Sequence, residues 1–372
     1  MIEDTWSEHD TTPEAIDAAL RRMLRERHAT NATLAPARVL NLIVIVDREW
    51  KGEVANRLER VGRYHASRTV VCAVEPGRTT VDARATISQD DPKDGLSLVK
   101  ESVELDIGPD HLIALTTLVD PVLVSELPTV CWSPHGHAEV VRALLPIIDV
   151  IMLDSDAEAD PGAAFERAAR VRQDAYVVDL AWLRTTPWRE RLAASFHLGA
   201  RRPQLERLSS VEIRHREGST ASALLLAGWL ASRLGWERSP LTLGSSEIDM
   251  EGAQRRVGGE VALTLRRSAQ EAPGLAGVTV AAERGSSLSL QRSLGGLDAS
   301  ETLPSGEQKS WKILGASRGE AGILGEGIRQ ALLREPTYGP ALYAAREMYP
   351  ESGGGSPGDP PRRVGIPRRP PA

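Results

Sequence analysis

The chain has only two cysteines, Cys72 and Cys131, in 372 residues. So few thiols exclude a disulfide framework or a cysteine-built metal cluster. Each lies in an apolar, strand-like stretch (residues 70–72 and 129–132) and reads as a buried thiol acting as a small hydrophobe. A redox pair would require the two strands to be neighbours. No stretch is long and apolar enough to cross a bilayer. The most apolar one, residues 221–236, carries Arg233 and is shorter than the roughly 20 residues required. The net charge is −6, with both signs spread along the chain. No basic stripe appears, so neither nucleic acid nor membrane is expected as a partner. Residues 1–10 are acidic and polar. They lack the basic start and apolar stretch of a secretory signal, so a cytoplasmic location is expected.

Catalytic signatures are also missing. There is no H-E-x-x-H, no G-x-x-x-x-G-K-[ST] and no G-x-S-x-G. Gly322, Gly325 and Gly327 have the wrong order for a dinucleotide fingerprint and no preceding βα context. His135 and His137 share a loop, but two histidines with no recognisable third ligand make a weak metal site. No cofactor is expected. If the chain is an enzyme, its best groups are His135, His137 and Asp154, which would have to converge in a pocket.

What is present is ordinary globular material, 41% hydrophobic and 26% charged. The length suits two domains. Thr12-Pro13-Glu14 starts a helix, with Ile16, Leu20, Met23 and Leu24 on one face. Residues 39–46 form a nearly continuous β-branched run, as in a strand buried on both faces. A helix follows over 54–64 and a second strand over 69–74. This βαβ order predicts an α/β domain with a mostly parallel or mixed sheet over 1–165. Further strands are expected near 81–87, 96–107, 129–132 and 150–153.

The second half opens with a brief strand at 176–178. It has a strong helix over 219–234, closed by Gly235. After Pro240 come short alternating runs at 261–265, 278–282 and 288–292. They predict an α+β domain with an antiparallel sheet over 166–350, ending in helices at 322–333 and 341–348. The Gly/Pro/Arg-rich stretch 351–372 is expected to be disordered.

Eight tryptophans against two phenylalanines is unusual. Trp pairs a large apolar body with one N–H, and is common at element boundaries and at interfaces. Trp132, Trp182 and Trp188 sit near element ends. Trp182 and Trp188, with Arg189 beside them, suit core and partner contact equally. Arg68, at the start of a strand, either pairs structurally or holds a phosphate, as in a sugar-phosphate sensor.

Several segments, taken in order, resemble the OpcA family of glucose-6-phosphate dehydrogenase assembly proteins. They include residues 36–44 (PARVLNLIV), 65–72 (HASRTVVC), 127–134 (LPTVCWSP), 179–182 (DLAW), 187–190 (PWRE) and 225–236 (LLAGWLASRLGW). The resemblance covers roughly residues 10–350. It implies a non-catalytic partner that promotes assembly of glucose-6-phosphate dehydrogenase or activates it allosterically, serving the oxidative pentose phosphate pathway and NADPH supply. Cyanobacterial members are thought to sense redox through cysteines towards the C-terminus. No cysteine follows Cys131 here, so thiol regulation is not carried over. The candidate partner-binding residues are Trp182, Trp188, Arg189, Trp132, His135 and Arg68.

Overall fold

The computed structural model describes residues 2–30, 38–61, 67–89, 99–197, 202–245, 247–315 and 319–350. The expected disordered stretch 351–372 lies outside the described residues, as do residues 36–37 and 65–66 of the family-like segments.

Two eight-stranded sheets organise the chain. The first contains β1 (Ile2–Glu8), β2 (Leu40–Asp47), β3 (Ser67–Val74), β4 (Asp82–Gln89), β5 (Val99–Ile107), β6 (Thr129–Trp132), β7 (Val150–Leu153) and β8 (Tyr176–Asp179). Its order is β1-β4-β5-β3-β2-β6-β7-β8. The six strands from β5 to β8 pair in parallel, and β4 and β1 add antiparallel. The β-branched run forms the centre: Leu40 and residues 42–46 of β2 are buried, as a strand covered on both faces requires. β5 alternates buried and half-buried residues, as expected, but pairs parallel with β3 on one side and antiparallel with β4 on the other.

The second sheet contains β9 (Leu208–Arg216), β10 (Thr242–Leu243), β11 (Ile248–Arg256), β12 (Gly259–Ser268), β13 (Leu275–Ala282), β14 (Ser286–Ser293), β15 (Gly296–Thr302) and β16 (Gln308–Leu314). Its order is β10-β11-β12-β9-β13-β14-β15-β16. The expected antiparallel sheet is found in every pairing but one. β9 inserts between β12 and β13 and runs parallel to β12, so this sheet too is mixed. The strand at 176–178, assigned by the sequence reading to the second half, hydrogen-bonds into the first sheet as β8.

Helix Thr220–Leu234 joins the halves. Ten of its residues, from Ala221 to Ala231, are buried, as befits a helix apolar on every side. Gly228 lies where it meets helix Tyr338–Met348. A Cβ there would stand 2.3 Å from the Ala341 carbonyl oxygen, so only glycine permits this approach. Gly235 ends the helix at φ +66°, the left-handed cap expected of it. One hydrophobic core runs from Leu42 and Trp132 of the first sheet through this helix to Ile213 and Leu290 of the second. A second core covers the other face of the first sheet and includes Ile16, Leu20 and Met23 of helix Pro13–Thr30. No described helix is long and apolar enough to cross a membrane.

Candidate functional site

In the first sheet the chain winds from β2 outward to β3, then returns to lay β6 on the other side of β2. That reversal opens a crevice at the carboxyl ends of β2 and β6, the usual ligand position in doubly wound sheets. Asp47 ends β2, and the loop after β6 supplies Ser133, His135 and His137. His137 Nε2 lies 3.1 Å from Asp47 Oδ1. The His135 ring stacks on Trp50, with centroids 4.6 Å apart and planes 17° from parallel. His135 Nε2 is shielded and has no hydrogen-bond partner. Trp50 is 39% exposed, so the stack presents an aromatic face to solvent.

Asp154, the third member of the enzyme reading, is not part of this crevice cluster. Its carboxylate takes both terminal nitrogens of Arg184, at 2.7 and 2.8 Å. Arg184, at the end of helix Leu180–Arg184, also reaches Glu320 at 3.1 and 2.8 Å. Beside them Asp156 accepts from the Ser222 backbone N–H (2.9 Å) and hydroxyl (2.5 Å). The cluster therefore ties the loop after β7 to helix Thr220–Leu234 and to helix Glu320–Leu333. Burial, then the neighbouring Asp154 charge, pushes the Asp156 carboxyl up to about 7. Burial works against the Arg184 charge, but the hydrogen bonds to Asp154 and Glu320 win and hold its pKa above the usual value. Asp179, at the end of β8, accepts from the Ser155 hydroxyl at 2.6 Å and Tyr338 Oη at 3.0 Å. Burial raises its pKa as well. Among the described residues no group of three His, Cys, Asp or Glu side chains is placed to hold a metal.

The six candidate contact residues fall into three settings. Trp132, Trp182 and Trp188 are 1%, 3% and 0% exposed, so their rings are packing groups in the isolated chain rather than surface anchors. Trp182 donates its indole N–H to Glu335 at 3.0 Å and carries the Arg189 guanidinium 3.5 Å above its ring. Arg189 also donates to the hydroxyls of Thr185 and Thr186, and burial lowers its pKa to about 10. Arg68 does not offer a phosphate seat. It is buried, donates to both Glu101 (2.7 Å) and the Val122 carbonyl (2.8 Å), and so is a structural pairing residue. His135 alone of the six lies at the crevice. Sequence reasoning missed Trp50 and Arg184. Trp50 stands three residues past the end of β2, a signal that was available. Arg184, two residues past Trp182, carries no local mark of its role.

Cys72 and Cys131 lie on β3 and β6, which flank β2 and are not neighbours. Two strand spacings separate them by about 9–10 Å, beyond the roughly 7 Å that a disulfide can span.

The geometry defines a two-sheet α/β protein in which the buried arginines Arg68 and Arg184 pair with the carboxylates of Glu101 and Asp154. The chain belongs to the OpcA family: the glucose-6-phosphate dehydrogenase subunit N-terminal domain matches residues 58–170, and the C-terminal domain of the same subunit matches residues 175–371. Among curated relatives, an OpcA protein of Synechococcus elongatus, named for the OxPP cycle, is 31% identical over 160 residues, covering 42% of this chain and 36% of that protein. Its Synechocystis counterpart is 30% identical over 131 residues, covering 34% and 28%. The chain thus spans about a third of the length of the curated relatives it matches. A solved oxidoreductase from Sinorhizobium meliloti superposes with a TM-score of 0.46 at 12% identity, covering 82% of this chain and 94% of that one; a likeness at that level carries no functional argument.

Proposed function

We propose that this protein is a non-catalytic accessory subunit that binds glucose-6-phosphate dehydrogenase and promotes its assembly or allosteric activation, serving the oxidative pentose phosphate pathway and its NADPH supply from the cytoplasm. The observation that carries the reading is the match of two glucose-6-phosphate dehydrogenase subunit domains, end to end, over residues 58–170 and 175–371. The engagement of Asp154 by Arg184, away from the two histidines, supports it further. An accessory protein acts only through differential affinity. It must bind the assembled or active state more tightly, by about 1.4 kcal/mol for each tenfold change.

The contact surface we assign includes the Trp50–His135 stack. A half-exposed indole held flat against a second ring is preorganised, and rigid aromatic anchors dominate interface energies. Size exclusion with light scattering, on a mixture of this protein and the dehydrogenase of the same organism, tests the reading. A co-eluting complex that Trp50→Ala weakens is expected. Independent elution at micromolar concentrations of both would overturn it.

A further inference from the structure

Between helix Ala138–Ala143 and the C-terminal half of helix Pro161–Val171 lies a cleft of about 320 Å³ over β7. It begins at Ser133 and Gly136, one strand along from the crevice of Asp47 and His137. Its floor is apolar, with Val141, Leu145, Ile151 and Val171 among the lining groups. Three arginines, Arg142, Arg167 and Arg170, stand around it with a single carboxylate, Asp174. Arg167 is paired with Glu158. Arg142 and Arg170 meet no acceptor among the described residues, unlike most arginines of this chain, which are tied to carboxylates or carbonyls.

The contrast is informative. Here two exposed guanidinium groups without a carboxylate partner stand beside an apolar hollow. A guanidinium presents a planar fork of donors that fits an oxyanion with two parallel hydrogen bonds. An apolar floor with a few polar groups at its rim, and a volume at the small end of the usual range, describes a site for a small molecule. We propose that this cleft binds a small organic anion: a compact apolar or ring body over β7, with one phosphate- or carboxylate-type head held by Arg142 and Arg170. This reading does not rest on the dehydrogenase contact: neither Trp50 nor His135 lines the cleft, and binding there needs no partner protein.

The test is fluorescence titration of the full chain with 8-anilinonaphthalene-1-sulfonate, an apolar ring system with one anionic head. Phenyl phosphate and benzoate serve as competitors. A single saturable site is expected, weakened about tenfold or more in R142A/R170A, as the loss of charge-assisted hydrogen bonds implies. The exposed, remote variant R22A should bind as the native chain does. The competitor that displaces the dye at the lower concentration identifies the head group. Both cleft arginines are exposed and unpaired, so the double variant should keep the native circular dichroism; if it does not, the single variants R142A and R170A serve the same comparison. Equal affinity in native and arginine-deleted chains overturns the proposal. So does failure of both competitors to displace the dye, or no saturable binding of any of the three.

Discussion

Arg184 holds Asp154 through both of its terminal nitrogens, at 2.7 and 2.8 Å, from a side chain only 6% exposed. The same guanidinium reaches Glu320 on the far helix, so one cation fastens three segments distant in sequence. Removing it would leave the Asp154 carboxylate without its two-nitrogen partner and would cut the link to Glu320. Deleting one partner of such a buried network typically costs about 3–5 kcal/mol. Arg184→Ala should lower the urea midpoint of unfolding accordingly. A loss below about 1 kcal/mol would show that the cluster does not hold the halves together.

Asp156 gives stability a pH signature. Its folded pKa, near 7, lies above the ordinary carboxylate value of an unfolded chain. The folded state therefore holds a proton that the unfolded state releases. Its contribution is fully present below the ordinary value and is lost as pH rises towards about 7, by up to about 1.4 kcal/mol per pH unit. Asp156→Asn should flatten that part of the curve. The Ser222 hydroxyl donates to the Ala181 carbonyl at 3.0 Å and can accept from the new amide, so the variant keeps its hydrogen bonds. Denaturant midpoints of both proteins between pH 4 and 8 make the comparison. Parallel curves would contradict it.

Gly228 predicts a packing defect. A methyl group there would meet the Ala341 carbonyl oxygen at 2.3 Å and the Ala345 nitrogen at 2.8 Å. Gly228→Ala raises helix propensity, yet must push helix Tyr338–Met348 away. Overpacking of this kind costs about 1–3 kcal/mol. A thermal melt should show the variant destabilised. A stabilised variant would mean that the helices separate freely.

The thiols should be silent. Burial raises the pKa of Cys131 to about 12 and raises that of Cys72 as well. The thiolate is the reactive species. Titration with a chromogenic disulfide near pH 8 should therefore find neither cysteine in the native protein and both in denaturant. Oxidants should form no bond between Cys72 and Cys131 while the fold is intact. Rapid native labelling would contradict the placement of β3 and β6 beneath their helices.

The central strands were legible in sequence because burial on both faces demands the continuous β-branched run that β2 shows. Helix Thr220–Leu234 and its Gly235 cap were legible for the same reason. The edges were not. β1 and β16 are mostly polar and largely exposed, so they carry little hydrophobic pattern, although Trp6 packs on the core. The insertion of β9 between β12 and β13 leaves no local mark, since register between distant strands is a tertiary property. The same limit explains the site. Arg184, Asp154, Asp156 and Glu320 are unremarkable one by one and meet only in the fold. Trp182 and Trp188 had equal claims to core and surface, and burial decided for the core. Arg68 was open between structural pairing and phosphate binding, and the fold gives it Glu101, a partner that spacing could not reveal.

The central claim is that this chain acts on a dehydrogenase rather than on a substrate of its own. The most direct measurement is the activity of the same organism's glucose-6-phosphate dehydrogenase, titrated with the purified protein at fixed glucose 6-phosphate and NADP. The account predicts a saturable change in rate or in substrate affinity, with no turnover by this protein alone. A flat titration across a wide concentration range, with the dehydrogenase itself fully active, would contradict it.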